Sequence, residues 1–230
     1  LKSLRTNFVR SLLTVLGVVI GVFAVVTLIS LVQGLQNYVT SEFESLGAKL
    51  IFVYPGGGGI TNDPSLAFSN NKLAEKHVQL IENNAGDVIS HVTPIMQTGG
   101  AVKYKTNTYY ASVLGGEAIT QEVFNLDLER GRYITRNEAR TGENVTILGD
   151  QVRRELFGNL DPIGREIELE GKKFTVIGYI PPKSQDYDQQ VIVPLKKIED
   201  IFDLENYTYI AVELKSKDNV DEDSKIIKLS

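Results

Sequence analysis

The apolar and polar positions divide this chain into one long apolar run and a longer stretch of short alternating segments. From Ser11 to Val32 no residue is charged, and fifteen positions are Leu, Val, Ile or Phe. At about 1.5 Å per residue the run reaches roughly 33 Å, enough for a hydrocarbon core of about 30 Å. This predicts a membrane-spanning helix over 11–32. Beyond it, Leu35, Tyr38, Val39, Glu42, Phe43 and Leu46 recur at three- and four-residue spacing, and Gly47 supplies a stop. That pattern predicts an amphipathic stalk helix over 33–47.

The remaining periodicity predicts an α+β domain. A short apolar strand over Lys49–Tyr54 ends at Pro55 and four glycines. The glycine run lacks the Gly-Lys-[Ser/Thr] of a phosphate loop, so a plain loop is expected. Asn70 or Asn71 is expected to cap a helix whose apolar face is Leu73, His77, Leu80 and Ile81. A strand over Val88–Met96 follows, with Pro94 on an edge. Ala101–Lys105 and Thr108–Leu114 alternate around Thr106-Asn107, which predicts a hairpin. Val145–Leu148 is predicted as a strand and Gln151–Phe157 as a helix stopped by Gly158. Arg165–Leu169 and Lys173–Ile180 form a second predicted hairpin around Glu170-Gly171. Val191–Pro194 reads as a strand, Leu195–Phe202 as a helix, Tyr207–Leu214 as a strand, and Asp218 or Asn219 opens a last helix. Two α/β halves thus flank a β-rich insert.

Charge sets the expected orientation. Lys2, Arg5 and Arg10 precede the apolar run, and no acidic residue appears before Glu42. Positive flanks stay in the cytoplasm, so the domain after Val32 is expected outside. A cleaved signal peptide has an apolar region of about 7–15 residues and a small-residue cleavage site. This run is longer, and Leu31-Val32-Gln33-Gly34-Leu35 offers no such site, so a retained anchor is predicted. Residues 33–230 carry a net charge of −8, which argues against binding nucleic acid or an anionic membrane surface. There is no cysteine, which removes disulfides and thiolate metal sites. The chain begins without Met and stops inside a predicted helix, as a fragment would.

Candidate chemistry is sparse. His77 and His91 lie in different predicted elements without ligand-spaced partners, and His77 is expected to pack on its helix. Asp186 and Asp188 are expected to be solvated in a loop rather than to hold Ca²⁺. Asn144-Val145-Thr146 and Asn206-Tyr207-Thr208 match a glycosylation sequon that is common by chance. No nucleophile or zinc motif occurs, so no catalysis and no cofactor are expected. Within the apolar run, Gly17 and Gly21 form Gly-x-x-x-Gly, and Thr14 and Ala24 extend the same small face. Small residues at that spacing let another membrane helix approach closely.

Several of these segments resemble one family. Arg10-Ser11-Leu12-Leu13-Thr14-Val15-Leu16-Gly17-Val18-Val19-Ile20-Gly21 closely resembles the first membrane helix of MacB/FtsX-like ABC-transporter permeases. Leu46-Gly47-Ala48-Lys49 resembles a family Leu-Gly-x-Asn element, with Lys49 replacing Asn. Gly131-Arg132-Tyr133, Val145-Thr146-Ile147-Leu148-Gly149, Leu156-Phe157-Gly158, Pro162-Ile163-Gly164 and Val176-Ile177-Gly178 match later landmarks in order. The resemblance implies a cytoplasmic flank over 1–10, then the spanning helix and stalk. It further implies a Porter-like α/β subdomain from 48–100 and 181–230, with an inserted, mostly β, Sabre-like subdomain over 101–180. It also implies a bacterial cytoplasmic-membrane permease, dimeric or paired with another permease, working with a separate ABC ATPase and in some members a periplasmic adaptor. The exterior domain would couple the ATPase cycle to export or release of substrate outside the membrane. A signal-anchored sensor receptor is the alternative reading; a membrane-anchored hydrolase is a third that lacks a nucleophile constellation.

Overall fold

The computed structural model describes residues 12–13, 15–30, 50–55, 72–216 and 227. It divides into two units between Leu46 and Gly47. In the first, 12–13 and 15–30 are helical. Large apolar side chains there, from Leu16 to Phe23, are 51–71% exposed, and consecutive residues Val18, Val19 and Ile20 share that exposure. The helix is therefore apolar on every side, unlike the striped surface helix of a globular protein. The unbroken run 15–30 is about 24 Å long. Among the described residues no helix is long and apolar enough to cross a membrane. Ser11, Thr14, Leu31 and Val32, and the whole predicted stalk, lie outside the described residues.

The second unit is built on a nine-stranded mixed sheet. Its strands are β1 (Leu50–Val53), β2 (Ile89–Tyr104), β3 (Asn107–Gly116), β4 (Arg130–Gly131) and β5 (Val145–Leu148), then β6 (Glu166–Leu169), β7 (Lys172–Tyr179), β8 (Gln190–Pro194) and β9 (Tyr209–Leu214). The order is β1-β9-β2-β3-β8-β5-β7-β4, with β6 joined to β2 and β7. The helices are α1 (Glu75–Ala85), α2 (Thr120–Val123), α3 (Arg136–Thr141), α4 (Asp150–Phe157), α5 (Gln185–Asp188) and α6 (Leu195–Phe202). β1 and β2 both run antiparallel to β9, so β1-α1-β2 is a crossover with β9 inserted between its strands. β8 and β9 carry buried runs, Val191-Ile192-Val193 and Ile210-Ala211-Val212. Such continuous apolar strands require cover on both faces.

β2 organises the unit. Its first part, from Ile89 to Ile95, pairs with β9, and its second, from Met96 to Tyr104, with β3. The two strands expected over Val88–Met96 and Ala101–Lys105 are therefore one. Gly99 and Gly100 do not break it, because each lies where a neighbour fills the space of its missing side chain. The Tyr110 ring lies against Gly99, and Leu169, Phe202 and Val113 close over Gly100. The expected subdomain limit at 100/101 falls inside this strand.

Other expectations need correction. The hairpin turn is Lys105-Thr106, not Thr106-Asn107: Asn107 pairs with Tyr104, and its side-chain amide donates to the Leu156 carbonyl at 2.8 Å. Lys105 takes the positive φ that the turn needs. The buried face of α1 is Val78, Ile81 and Ala85, a three- and four-residue stripe, while Leu80 is 43% exposed. Leu73 is buried ahead of the helix, which begins after Ala74. β9 starts at Tyr209 rather than Tyr207, because the Tyr207 N–H donates instead to the Leu73 carbonyl. Asn70, Asn71 and the glycine run at 56–59 lie outside the described residues, as does the last expected helix except Ile227, which is helical and buried.

Candidate functional site

The landmark Gly131-Arg132-Tyr133 is a structural corner. Arg132 reaches forward to Glu138, Nη1 to Oε2 at 2.8 Å and Nη2 to Oε1 at 2.6 Å. Glu138 also accepts from the Thr135 backbone and hydroxyl, at 2.9 and 2.8 Å, which closes a capping box on α3. The Arg132 fork, and then the Thr135 bonds, lower the Glu138 carboxyl from 4.5 to about 2. A carboxyl depressed on folding stabilises the fold above its unfolded value, and that stabilisation is lost as pH falls from 4.5 toward 2. Solvent around the half-exposed Arg132 keeps the contribution near 1 kcal/mol. Glu138→Gln should lower urea stability at pH 7 by about 1 kcal/mol, and the gap from the parent should shrink as pH falls below 4.5. A gap unchanged at pH 3 would refute this account.

The expected packing face of the first helix is only partly described. Gly17, Gly21 and Ala24 are helical, and nothing lies within 4 Å of a β-carbon built at either glycine. Thr14, and the flanking Lys2, Arg5 and Arg10, lie outside the described residues. The histidines are placed apart. His77 Nδ1 accepts the Ala74 N–H at 3.0 Å, so it caps α1 from the third position rather than packing in the core. His91 Nδ1 lies 2.8 Å from Glu213 Oε2, across the β2–β9 pair. Asp186 and Asp188 fall in α5, and Asp188 accepts the Lys183 N–H at 2.9 Å. Among the described residues no three His, Cys, Asp or Glu side chains converge as a metal group would require.

The structure adds a cleft that the sequence pattern did not signal. It encloses about 830 Å³ between the end of α1, the start of β2, the β3–α2 connection, α3 and the start of α6. Its floor holds Ile89 to Val92, and its walls carry opposite charges, Glu82 and Glu117 against Arg136 and Arg140. Burial, then the charges of Glu75 and Glu82, raise the Glu117 carboxyl above its ordinary value. Beside this group the Tyr207 hydroxyl donates to Glu75 Oε2 at 3.0 Å, and burial followed by Glu75 raises the phenol as well. On the floor Ser90 Oγ lies 3.2 Å from His91 Nδ1, the same ring nitrogen that lies 2.8 Å from Glu213 Oε2.

Comparison with known proteins accords with this architecture. The family model of the MacB-like periplasmic core domain matches residues 11–228. A macrolide export ATP-binding/permease protein, MacB of Chlorobium luteolum, is 30% identical over 96% of this chain and 34% of its own length. The ABC transporter permease YvrN of Bacillus subtilis is 27% identical over 96% of this chain and 57% of its own. This chain thus spans about a third of the length of the MacB relatives. Among solved structures, the periplasmic region of MacB from Actinobacillus actinomycetemcomitans has the same fold, with TM-score 0.68 at 17% identity over 81% of this chain and 85% of that one. The extracellular domain of the transporter YknZ from Gram-positive bacteria gives 0.62 at 20% identity over 78% and 89%. Matched across almost its whole length, the chain belongs to the MacB-like periplasmic core domain family of ABC-transporter permeases.

Proposed function

We propose that this chain is the first membrane segment and the exterior domain of a permease subunit in a bacterial cytoplasmic membrane. The N-terminus lies in the cytoplasm, and the α/β domain stands outside. The observation that carries this is the extent of the family match: it begins at residue 11, within the apolar run, and continues to 228 through the domain. Helix and domain thus go together as one family unit. A helix exposing valines, leucines and isoleucines on every side is costly in water and favourable in lipid. The subunit works with an ABC ATPase, as a homodimer or paired with a second permease, and in some envelopes with an adaptor protein. Its exterior domain, with a Porter-like part and a β-rich insert, passes the ATPase cycle on to export or release of a substrate outside the membrane. β2 supports that role, since one unbroken strand crosses the proposed boundary between the two parts. The relatives are named as transport permeases, which favours this reading over a sensor receptor.

The chain has no cysteine, so a single introduced one is a unique label. Asn159 is exposed after α4. Asn159→Cys should react with a membrane-impermeant maleimide in intact spheroplasts, and Ser3→Cys only after lysis. Labelling of Ser3→Cys alone in intact spheroplasts would reverse the orientation and end the proposal.

A further inference from the structure

We propose that the open edge of β2 between Ser90 and Pro94 is a strand-docking site for an extended peptide segment of a partner protein, one carrying a basic and an acidic side chain. Along this part β2 has a neighbour on one side only. It pairs with β9 from Ile89 to Ile95, whereas its pairing with β3 begins at Met96 and Gly115. The chain leaves β3 after Gly116 and enters α2 at Thr120. The other side of β2 therefore faces the cleft, whose lining includes Ser90, His91 and Val92.

The parity of the backbone shows which groups are on offer. The Ile95 carbonyl accepts from Thr208, and the Gln97 N–H donates to the Thr208 hydroxyl, so these residues turn toward β9. In an antiparallel pair successive residues turn their backbone groups to opposite sides. Val92 and Pro94 consequently turn their backbone groups away from β9; Val92 lines the cleft, and Pro94 is buried next to it. Pro94 fits there because it has no N–H to leave unmade. Toward the cleft Val92 offers an N–H and a carbonyl. Such an edge is a template for an added strand.

Two features restrict what can dock. The bulge between Ile89 and His91 ends the regular edge on one side, and Pro94 ends it on the other. Pairing is thus confined to about two hydrogen bonds, both to Val92, too few to seed an open-ended sheet. The rest of the recognition falls to the walls. Glu82 and Glu117 have no cation beside them, and Arg136 has no carboxylate, among the described residues. Glu117 instead sits half-buried in the field of two other carboxylates. A lysine or arginine of the docked strand relieves that repulsion, and an aspartate or glutamate meets Arg136. Charge complementarity of this kind selects the partner, while the backbone bonds set its extended form.

The test uses the full chain in lipid nanodiscs and a fluorescein-labelled heptapeptide of alternating Thr and Val with one Lys and one Glu. Three comparison peptides accompany it: one with Gln at both charged positions, and two with N-methyl groups on alternate backbone amides in each register. Saturable anisotropy is expected, weakened about fivefold or more by the Gln peptide and by Glu117→Gln or Arg136→Gln. N-methylation in one register should weaken binding about tenfold, and in the other far less, because only one set of amides faces β2. Circular dichroism of the two variants checks that they are folded. Absence of saturable binding up to millimolar peptide overturns the proposal. Binding that ignores N-methylation in both registers also overturns it, since the cleft would then be an electrostatic surface and not a strand acceptor.

Discussion

Gly131→Ala is expected to destabilise the exterior domain by at least about 3 kcal/mol and to lower its melting temperature by roughly 6–12 °C, against much smaller effects from Gly158→Ala. Both glycines have positive φ, 90° and 58°, where a β-carbon is strained by about 1–3 kcal/mol. They differ in what surrounds them. A β-carbon at Gly158 meets nothing within 4 Å. At Gly131 it would stand on the Ile177 carbonyl oxygen, with the Gly178 α-carbon 2.7 Å away. Neither can withdraw, because the same Ile177 carbonyl accepts the Arg132 N–H at 2.9 Å and the Glu129 N–H bonds Tyr179 at 3.0 Å. The approach is mutual, since a β-carbon at Gly178 would lie 2.8 Å from the Arg132 carbonyl. Urea titrations of both variants, followed by far-ultraviolet dichroism, separate the strain from the close approach. Equal losses at the two positions would show that the contact with β7 yields and that only the backbone angle matters.

That pair of glycines explains why Gly131-Arg132-Tyr133 and Val176-Ile177-Gly178 were legible as landmarks while their connection was not. Each is a short string in the sequence, and only the β4–β7 pairing brings them together. Elements whose signal is local were read closely. β5 and α6 have the expected limits, and β6, β7, β8 and α4 shift by a residue or so. In these the period of the apolar positions and a stop such as Gly158 or Glu170-Gly171 agree. Where local signals conflicted with packing, packing won. Thr98-Gly99-Gly100 resembles a break, yet Tyr110 and Leu169 from other strands fill the space and β2 runs through. The helix α3 was missed although Thr135-Arg136-Asn137-Glu138 has the spacing of a capping box, because no apolar stripe follows it. The cleft was not legible at all. Its walls come from Glu82, Glu117, Arg136 and Lys196, four elements apart in sequence, and its open edge exists only because β3 ends before β2 does.

Phe157→Ala is expected to cost about 3–5 kcal/mol, as for a large aromatic removed from a packed core. Phe157 ends α4 at 4% exposure, and its ring lies against Tyr104 at the end of β2, centroid to centroid 4.1 Å. That contact is one of three that fasten the tip of the β2–β3 hairpin. Asn107 holds the Leu156 carbonyl at 2.8 Å, and Arg165 donates to the Tyr104 hydroxyl at 3.2 Å. The polar bonds fix position, but the buried rings supply most of the free energy, because each hydrogen bond merely replaces one to water at a net of about 1 kcal/mol. Phe157→Leu keeps most of the apolar volume and should cost under about 2 kcal/mol, while Tyr104→Phe, which retains the ring, should cost about 1 kcal/mol or less. A double-mutant cycle of Phe157→Ala with Tyr104→Ala should give a coupling of about 0.5–1.5 kcal/mol for the ring pair itself. The exterior domain would then lose stability chiefly at the hairpin tip, and amide exchange there should rise more than at β9, which pairs with the opposite end of β2. A Phe157→Ala loss below about 1 kcal/mol, with uniform exchange across the sheet, would mean that the hairpin tip is held by its hydrogen bonds and not by the ring pair.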